Sequence, residues 1–389
     1  MNPFILREFE NYYKKAKVHL PPRFTTREYG FMFFDKDYVS RHIKFSKEVD
    51  VRDFLIKKIP SHVYYSTAYY KAPDASSMDE KGWLGADLVF DLDADHIPSS
   101  KDKTYEQMLE SIKGELKKLI DNFLISNFGL NESSINIFFS GGRGYHVHIR
   151  REDFITLKSK ERREIVSYIR GSGITRVDLF SEHIKNKKGE KSITFASDSD
   201  YGWSGKFTKL SKIYLKSMLS DYESGKIEII KNQFQEDSEL VDQALRELFE
   251  DDGKKIKTII NTNTFDILSY KTAKLLSNQL ERKVFSNMKG EIDEPVTTDI
   301  HRLIRLPGSL HGKTGFVVTN VKYKNLDSFE PLRDAIAPVF LNKYLKIKMT
   351  QPLQMNINDE RYDLKNSEIV DAPLYFAIFC VLRNIAELA

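Results

Sequence analysis

The chain has 389 residues, with 60 Lys and Arg against 56 Asp and Glu for a formal net charge of +4, and its residues are 41% hydrophobic and 30% charged. That composition is globular, has ample capacity for a core, and excludes a disordered chain, while the many basic residues leave room for local surfaces that attract polyphosphates or nucleic acid. The single cysteine, Cys380, excludes an intrachain disulfide and any multi-cysteine zinc site within the chain, and points to a cytoplasmic setting.

The opening stretch MNPFILREFENYYKK carries acidic residues and no small-residue cleavage site, so no leader is expected. Residues 4–19 set Phe4, Ile5, Phe9, Tyr12, Tyr13 and Ala16 near helical spacing and predict an amphipathic helix, ended by Pro21 and Pro22. Residues 25–45 alternate apolar with polar and break at Asp35–Asp37, which predicts a β-hairpin. Arg27 in this hairpin either reaches a phosphate or is an ordinary exposed strand arginine. An aromatic strand follows at 62–73, closed by Pro73.

The stretch LGADLVFDLDADH, 84–96, then reads as a short buried strand. Side chains alternate faces along a strand, so Asp87, Val89, Asp91 and Asp93 share one face and Leu88, Phe90 and Leu92 the other. Two carboxylates about 7 Å apart at the backbone repel each other unless they share a cation, and hard oxygen ligands of this kind suit magnesium or manganese. The plain alternative is an acidic strand exit in water. A polar loop leads to a helix opened by a capping box of Thr104 and Gln107, with a core stripe from Tyr105 to Phe123.

The strand INIFF, 135–139, runs into SGGRGYHVHIRR. Its glycines let the backbone turn tightly and aim amides at an anion, and Arg143 adds a fork of donors suited to phosphate. His146 and His148 share a face; as zinc ligands they lack a third partner nearby, and hydrogen bonding to a triphosphate, with one histidine structural, is the preferred reading. A helix over 161–171 and a strand RVDLF, 176–180, are predicted next. Lys187, Lys188 and Lys191 either track a nucleic-acid backbone or belong to a solvated loop, and Trp203 is a candidate for stacking on a base. Residues 208–282 pattern as helices and are expected to form a helical insertion subdomain.

The third constellation is EIDEPVTTDIHRLIRLPGSLHGKTGFVV, 291–318. Asp293 is placed to approach the first two carboxylates, Thr297 or Thr298 to cap a helix over 299–304, and the turn LPGS to deliver His311 and Lys313 before a strand GFVV. Cations so close to an acid suggest a charged wall around a polyphosphate and its metals, against the alternative of a surface turn with ordinary charges. The longest apolar stretch, 372–382, is too short to span a bilayer, so no membrane association is expected.

VFDLDADH at 89–96, SGGRGYHVH at 140–148 and DEPVTTDIHRLIRLPGSLHGKTG at 293–315, with REYGFMFF at 27–34, resemble in that order the small catalytic subunit of archaeal and eukaryotic DNA primases, in the archaeo-eukaryotic primase superfamily. The wording is archaeal. The resemblance covers roughly residues 1–340 and implies an α+β fold with mixed or antiparallel sheets flanked by helices, with the catalytic domain at 1–207 and 283–340 around the insertion; the C-terminal extension, 341–389, lies outside the family motifs, and from its amphipathic character it is expected to form a terminal helix packed on the core or offered as a docking surface. It implies Asp91, Asp93 and Asp293 as metal-binding catalytic carboxylates and Ser140, Arg143, His146, Arg305, His311 and Lys313 as contacts to the incoming nucleotide. Arg27 is added to that group. Asp95 matches no required carboxylate, and His148 is structural.

The activity so implied is primer synthesis on single-stranded DNA from NTPs, making RNA and, as a further product, DNA, by two-metal nucleotidyl transfer with Mg2+ or Mn2+. The implied partner is a large primase subunit carrying an iron–sulfur cluster, for which this chain holds no ligands. Many family members carry a zinc knob shortly after the DxD; here that interval is the cysteine-free loop Ile97–Lys103, so no structural zinc and a trimmed or replaced knob are expected. The alternatives are a related template-dependent polymerase of repair or mobile elements and an idle nucleic-acid-binding subunit. A two-metal phosphohydrolase suits the cationic set less well.

Overall fold

The computed structural model describes residues 2–96, 103–197 and 201–389, and divides into two units, one of residues before Ser167 with Glu291–Ala389, the other Ser167–Gly290. The strands are β1 (Tyr29–Met32), β2 (Val39–Ile43), β3 (His62–Ser66), β4 (Ala68–Tyr70), β5 (Trp83–Ala86), β6 (Leu88–Asp93), β7 (Ile135–Phe139), β8 (Gly144–Ile149), β9 (Phe180–Ile184), β10 (Lys191–Phe195), β11 (Leu303–Arg305), β12 (Thr319–Val321), β13 (Tyr344–Met349), β14 (Leu353–Ile357), β15 (Glu360–Leu364), β16 (Ile369–Pro373) and β17 (Ala386–Leu388). Every pairing between these strands is antiparallel, which makes the fold α+β as the early accumulation of hairpins implied.

Two four-stranded sheets in the first unit position the functional residues. One has the order β11-β3-β1-β2, the other β12-β7-β8-β6. In the second sheet Asp91 stands opposite His146 and Asp93 opposite Gly144. Leu88, Phe90 and Leu92 are buried, as the alternation required, and pack the far face. Behind β8 runs the helix Tyr105–Lys118, whose capping box is formed as the spacing predicted: the Thr104 hydroxyl accepts from the Gln107 N–H and the Gln107 amide oxygen from the Thr104 N–H. The opening helix, Pro3–Lys15, braces the late turn, since the Tyr12 hydroxyl donates to the Gly308 carbonyl at 2.8 Å.

Several predicted elements come out differently. Residues 176–179 form a helical turn and the strand begins at Phe180. The helix expected over 299–304 forms earlier, as Glu294–Thr298 with Asp293 at its N-cap and Pro295 in its first turn, and the end of the expected stretch is drawn into β11 by pairing with β3. The strand expected at 315–318 starts later, at Thr319. The C-terminal segment 341–389, expected to be helical, contains five strands and the single helix Leu374–Leu382. Its two-residue turn at Asn358 and Asp359, both with positive φ, closes the hairpin of β14 and β15.

The second unit begins at Ser167, well before the insertion boundary expected at 208, because the hairpin of β9 and β10 and the helix Gly202–Glu223 share one core. Phe180, Phe195, Phe207 and Phe265 pack ring against ring there. Trp203, the candidate base-stacking residue, is buried in this unit against Tyr168 and Phe285, and its indole N–H donates to the Tyr168 carbonyl. No face of it is offered to a base. Among the described residues no helix is long and apolar enough to cross a membrane.

Candidate active site

A polar cleft of about 360 Å³ opens in the first unit, lined by the acids Asp91, Asp93 and Asp95 and the bases Arg143, Arg302, Arg305, Lys313 and Arg383, with Ser140, His146, His311 and Tyr64 between them. The three sequence constellations therefore reach one cavity. Asp91 and Asp93 come from the end of β6. Asp293 approaches from the late segment by backbone pairing: its N–H donates to the Asp91 carbonyl at 2.9 Å, at the edge of β6 that β8 does not cover. Burial, with the charges of Asp93 and Asp293 nearby, pushes the Asp91 carboxyl up to about 7, although Arg302 and Arg305 pull the other way.

Among the described residues no three His, Cys, Asp or Glu side chains are gathered into a ready-made metal cage. The Asp91 carboxyl is raised first by burial and then by the like charges of Asp93 and Asp293, so positive charge placed beside it is stabilising. Carboxylate oxygens short of positive charge are what a hard divalent cation takes. The donor set thus fits such an ion. The loop expected in place of a zinc knob, at 97–103, lies outside the described residues except for Lys103.

The glycine turn is shaped for close approach. Gly141 has φ +78°, and a Cβ there would stand 2.7 Å from the Cβ of His311; a Cβ on Gly144 would meet the Leu92 carbonyl oxygen at 2.3 Å. The turn therefore packs against both the carboxylate strand and the late motif. Thr314 donates its hydroxyl proton to the Gly141 carbonyl at 2.5 Å, which ties the two motifs together. His311 accepts the Lys313 N–H on Nδ1, so the hydrogen-bond pattern assigns its proton to Nε2, on the side of Gly142. Burial and the cations Arg305 and Lys313 hold His311 well below the ordinary histidine range, so it faces the cleft neutral.

Arg305 lies across the cleft on β11, opposite Tyr64 of β3. Its guanidinium donates to Nδ1 of His62 at 2.7 Å and sits 5.2 Å from the centre of the Tyr64 ring. His62 is pushed down to about 3 by burial and by Arg305 and Lys313, so its ring is neutral and Nδ1 is the accepting nitrogen. His62 also accepts the Gly312 N–H, and so fixes both the arginine and the late turn. Sequence reasoning passed over His62, Tyr64 and Arg302. His62 and Tyr64 were read only as part of an aromatic strand, and alternation says which face they share but not which arginine arrives opposite.

Other assignments shift. His146 lines the cleft, but its Nε2 stands 3.4 Å from Asp91 Oδ1, and burial with Arg305 and Arg302 pushes it down to about 3. It lines the cleft as a neutral neighbour of the carboxylate. Arg143 is at the cleft with its guanidinium 2.5 Å from the Asp95 carboxylate, the acid left outside the required set. Arg27 neither reaches a phosphate nor lies exposed. It is fully buried and donates to Asp87, Tyr69 and the carbonyls of Pro22, Ser66 and Thr67. His148 is buried against Phe138, near the Tyr65 hydroxyl, in a structural position.

The family model described as the DNA primase small subunit matches residues 90–323 of this chain, a span that holds the carboxylates, the glycine turn and, of the cationic wall, Arg143, Arg302, Arg305 and Lys313. The chain belongs to the DNA primase small subunit family. Primase small subunits similar to it over nearly their whole length include those of Methanococcoides burtonii, 37% identical over 99% of this chain and 97% of the relative, and Methanothrix thermoacetophila, 34% identical over 99% and 98%. That of Picrophilus torridus is 36% identical over 96% of this chain and 95% of its own. As a primase of this family the chain is an enzyme of the nucleotidyltransferase type, with a divalent-metal-dependent catalytic site.

Proposed function

We propose that this chain is the catalytic subunit of a DNA primase that joins NTPs into RNA primers, with DNA strands as a further product, on single-stranded DNA. The observation that carries the reading is the meeting of three distant motifs in one cleft, with the Asp293 backbone bonded to Asp91 and a row of cations facing them. Asp91, Asp93 and Asp293 are the groups that hold the cations. Magnesium or manganese bound there supplies the positive charge that favours a 3′-oxygen nucleophile and neutralises the departing pyrophosphate.

The chain's own side chains do the positioning. Arg305, braced by His62 and Tyr64, presents a fork of donors for phosphate oxygens, and Lys313 adds a point charge from the late turn. His311 offers its Nε2 proton beside the glycine turn, and Ser140 lines the same wall. Together these groups hold a triphosphate with its α-phosphorus toward the carboxylates, a positioning that accounts for much of nucleotidyl transfer. In this reading the chain works with a large primase subunit that carries an iron–sulfur cluster.

The test is primer synthesis on unprimed single-stranded DNA, with manganese or magnesium, by the wild type, Asp91→Ala and Asp293→Ala. Product from the wild type alone, with all three proteins folded, is the expected result. Extension only of a supplied primer would favour a repair or mobile-element polymerase, and product unchanged in both variants would remove the metal site.

A further inference from the structure

The cationic wall contains one member that no motif contains. Arg383 lines the cleft with Arg143, Arg305 and Lys313, yet it comes from the C-terminal segment, just past the helix Leu374–Leu382 and beyond the span of the family model. Its guanidinium lies 5.3 Å from the ring centre of Tyr105 and 5.3 Å from that of Phe379, which form a shelf beneath it. Tyr105 is itself fastened to the glycine turn, donating its hydroxyl proton to the Gly142 carbonyl at 2.7 Å. The helix carrying the segment is pressed against the late motif: Phe316 packs on Phe379, and a Cβ on Gly315 would meet Ile378 at 2.6 Å.

An arginine stacked on ring faces keeps the edge of its guanidinium free for other acceptors. Arg383 is exposed and has no carboxylate partner among the described residues, whereas Arg143, on the same cleft, is paired with Asp95. A solvent-facing guanidinium on a rigid aromatic shelf, tied to the turn that carries Ser140 and Arg143, has the geometry of an anion contact.

We infer that Arg383 is a substrate-binding residue, which holds the β- or γ-phosphate of the nucleoside triphosphate from the C-terminal segment. The inference rests on the reading of the cleft as a triphosphate site. It gives the strands and helix beyond residue 341 a part in the active site.

The experiment measures ATP and AMP binding by equilibrium dialysis with magnesium, on the full chain, for the wild type, Arg383→Ala, Arg383→Lys and Arg305→Ala. Arg383→Ala is expected to weaken ATP about tenfold, in the range of a lost charge-assisted hydrogen bond, and to leave AMP within about twofold. Arg383→Lys is expected to recover part of the loss. In steady-state primer synthesis the same change should raise KM for NTP and leave kcat within about threefold. ATP affinity unchanged in Arg383→Ala overturns the inference, and so does an equal loss for ATP and AMP, which marks a structural role. Wild type that binds no ATP, or Arg305→Ala that binds as well as wild type, instead overturns the reading of the cleft.

Discussion

Asp87 and Asp91 lie on one stretch of chain and, by strand alternation, on one face of it, yet their surroundings are opposite. Asp87 is fully buried and fully matched: it accepts from Arg27 at 2.9 Å, from the Tyr69 hydroxyl at 2.5 Å and from Arg150 at 3.3 Å. Arg162 closes the same spot by donating to the carbonyls of Ala86 and Asp87. Asp91 is also largely buried, but its side-chain neighbour is a neutral histidine, and Asp93 and Asp293 add like charge. Burial alone does not mark a working carboxylate. What separates the two is whether the fold brings enough positive charge to settle the ion without a ligand, which makes Asp87 part of the scaffold and leaves Asp91 waiting for a cation.

The comparison breaks first at Asp91. Asp91→Asn keeps the shape of the side chain and removes a charge repelled by its neighbours, so folding stability in metal-free buffer should hold or rise. Activity should fall by at least about a thousandfold, given that metal-held charge stabilisation is worth several kcal/mol at a tenfold per 1.36 kcal/mol. Melting curves in EDTA beside primer-synthesis rates check both halves. A variant that loses stability and activity together would mean that Asp91 is scaffold after all.

The converse is expected at the other end. Arg27→Ala strips Asp87 of its main partner and leaves a carboxylate short of charge in the core, a change that typically costs about 3–5 kcal/mol. Urea denaturation should show it as a lowered midpoint with little change in slope. Arg27→Ala protein that folds as well as wild type would show that Arg150 and Tyr69 alone settle Asp87.

Much of this contrast is legible in the sequence, and the part that is not has a physical reason. Strand alternation put Asp87 and Asp91 on one face, and the Thr104 to Gln107 spacing gave the capping box, because both are local regularities. The partners of Asp87 are not local. Arg27 reaches it from the first hairpin, and nothing in REYGFMFF says that its arginine turns inward. For the same reason the helix expected over 299–304 does not form there, since pairing of β11 with β3 overrides the short helical pattern. The C-terminal strands did carry an unread signal: the Asn358–Asp359 pair between the alternating runs LQMNI and ERYDL is a hairpin turn. Arg383 follows the apolar run of the helix Leu374–Leu382, and nothing local in that run says that its end reaches the cleft.

The cationic side of the cleft sharpens the comparison by a smaller step. Arg305 donates to a histidine that burial and the nearby cations keep neutral, so its orientation depends on His62 as well as on its own charge. Arg305→Ala should raise KM for NTP by about tenfold to a hundredfold, in line with about 1.5–3 kcal/mol for hydrogen bonds to charged groups. Arg305→Lys should recover little of that, because the fork geometry is lost with the guanidinium. Equal recovery by lysine would show that charge alone suffices there.

The smallest effect is expected at Asp95, whose carboxylate occupies the Arg143 guanidinium from the same wall a triphosphate would use. The pair is well exposed, with side chains 34% and 50% accessible, so solvent screens it and its strength belongs in the range of about 0.2–1 kcal/mol. A triphosphate brings several charges to the same guanidinium and displaces one carboxylate readily. Asp95→Asn should therefore lower KM for NTP by at most about fivefold, leave kcat unchanged, and lose the difference from wild type as salt is raised. A rise in KM would assign Asp95 the opposite role, that of aiming Arg143 at the phosphate. Asp95 would then join Asp87 as a carboxylate that serves by holding an arginine in place, and the division drawn along this stretch of chain would fall between Asp93 and Asp95 as well as between Asp87 and Asp91.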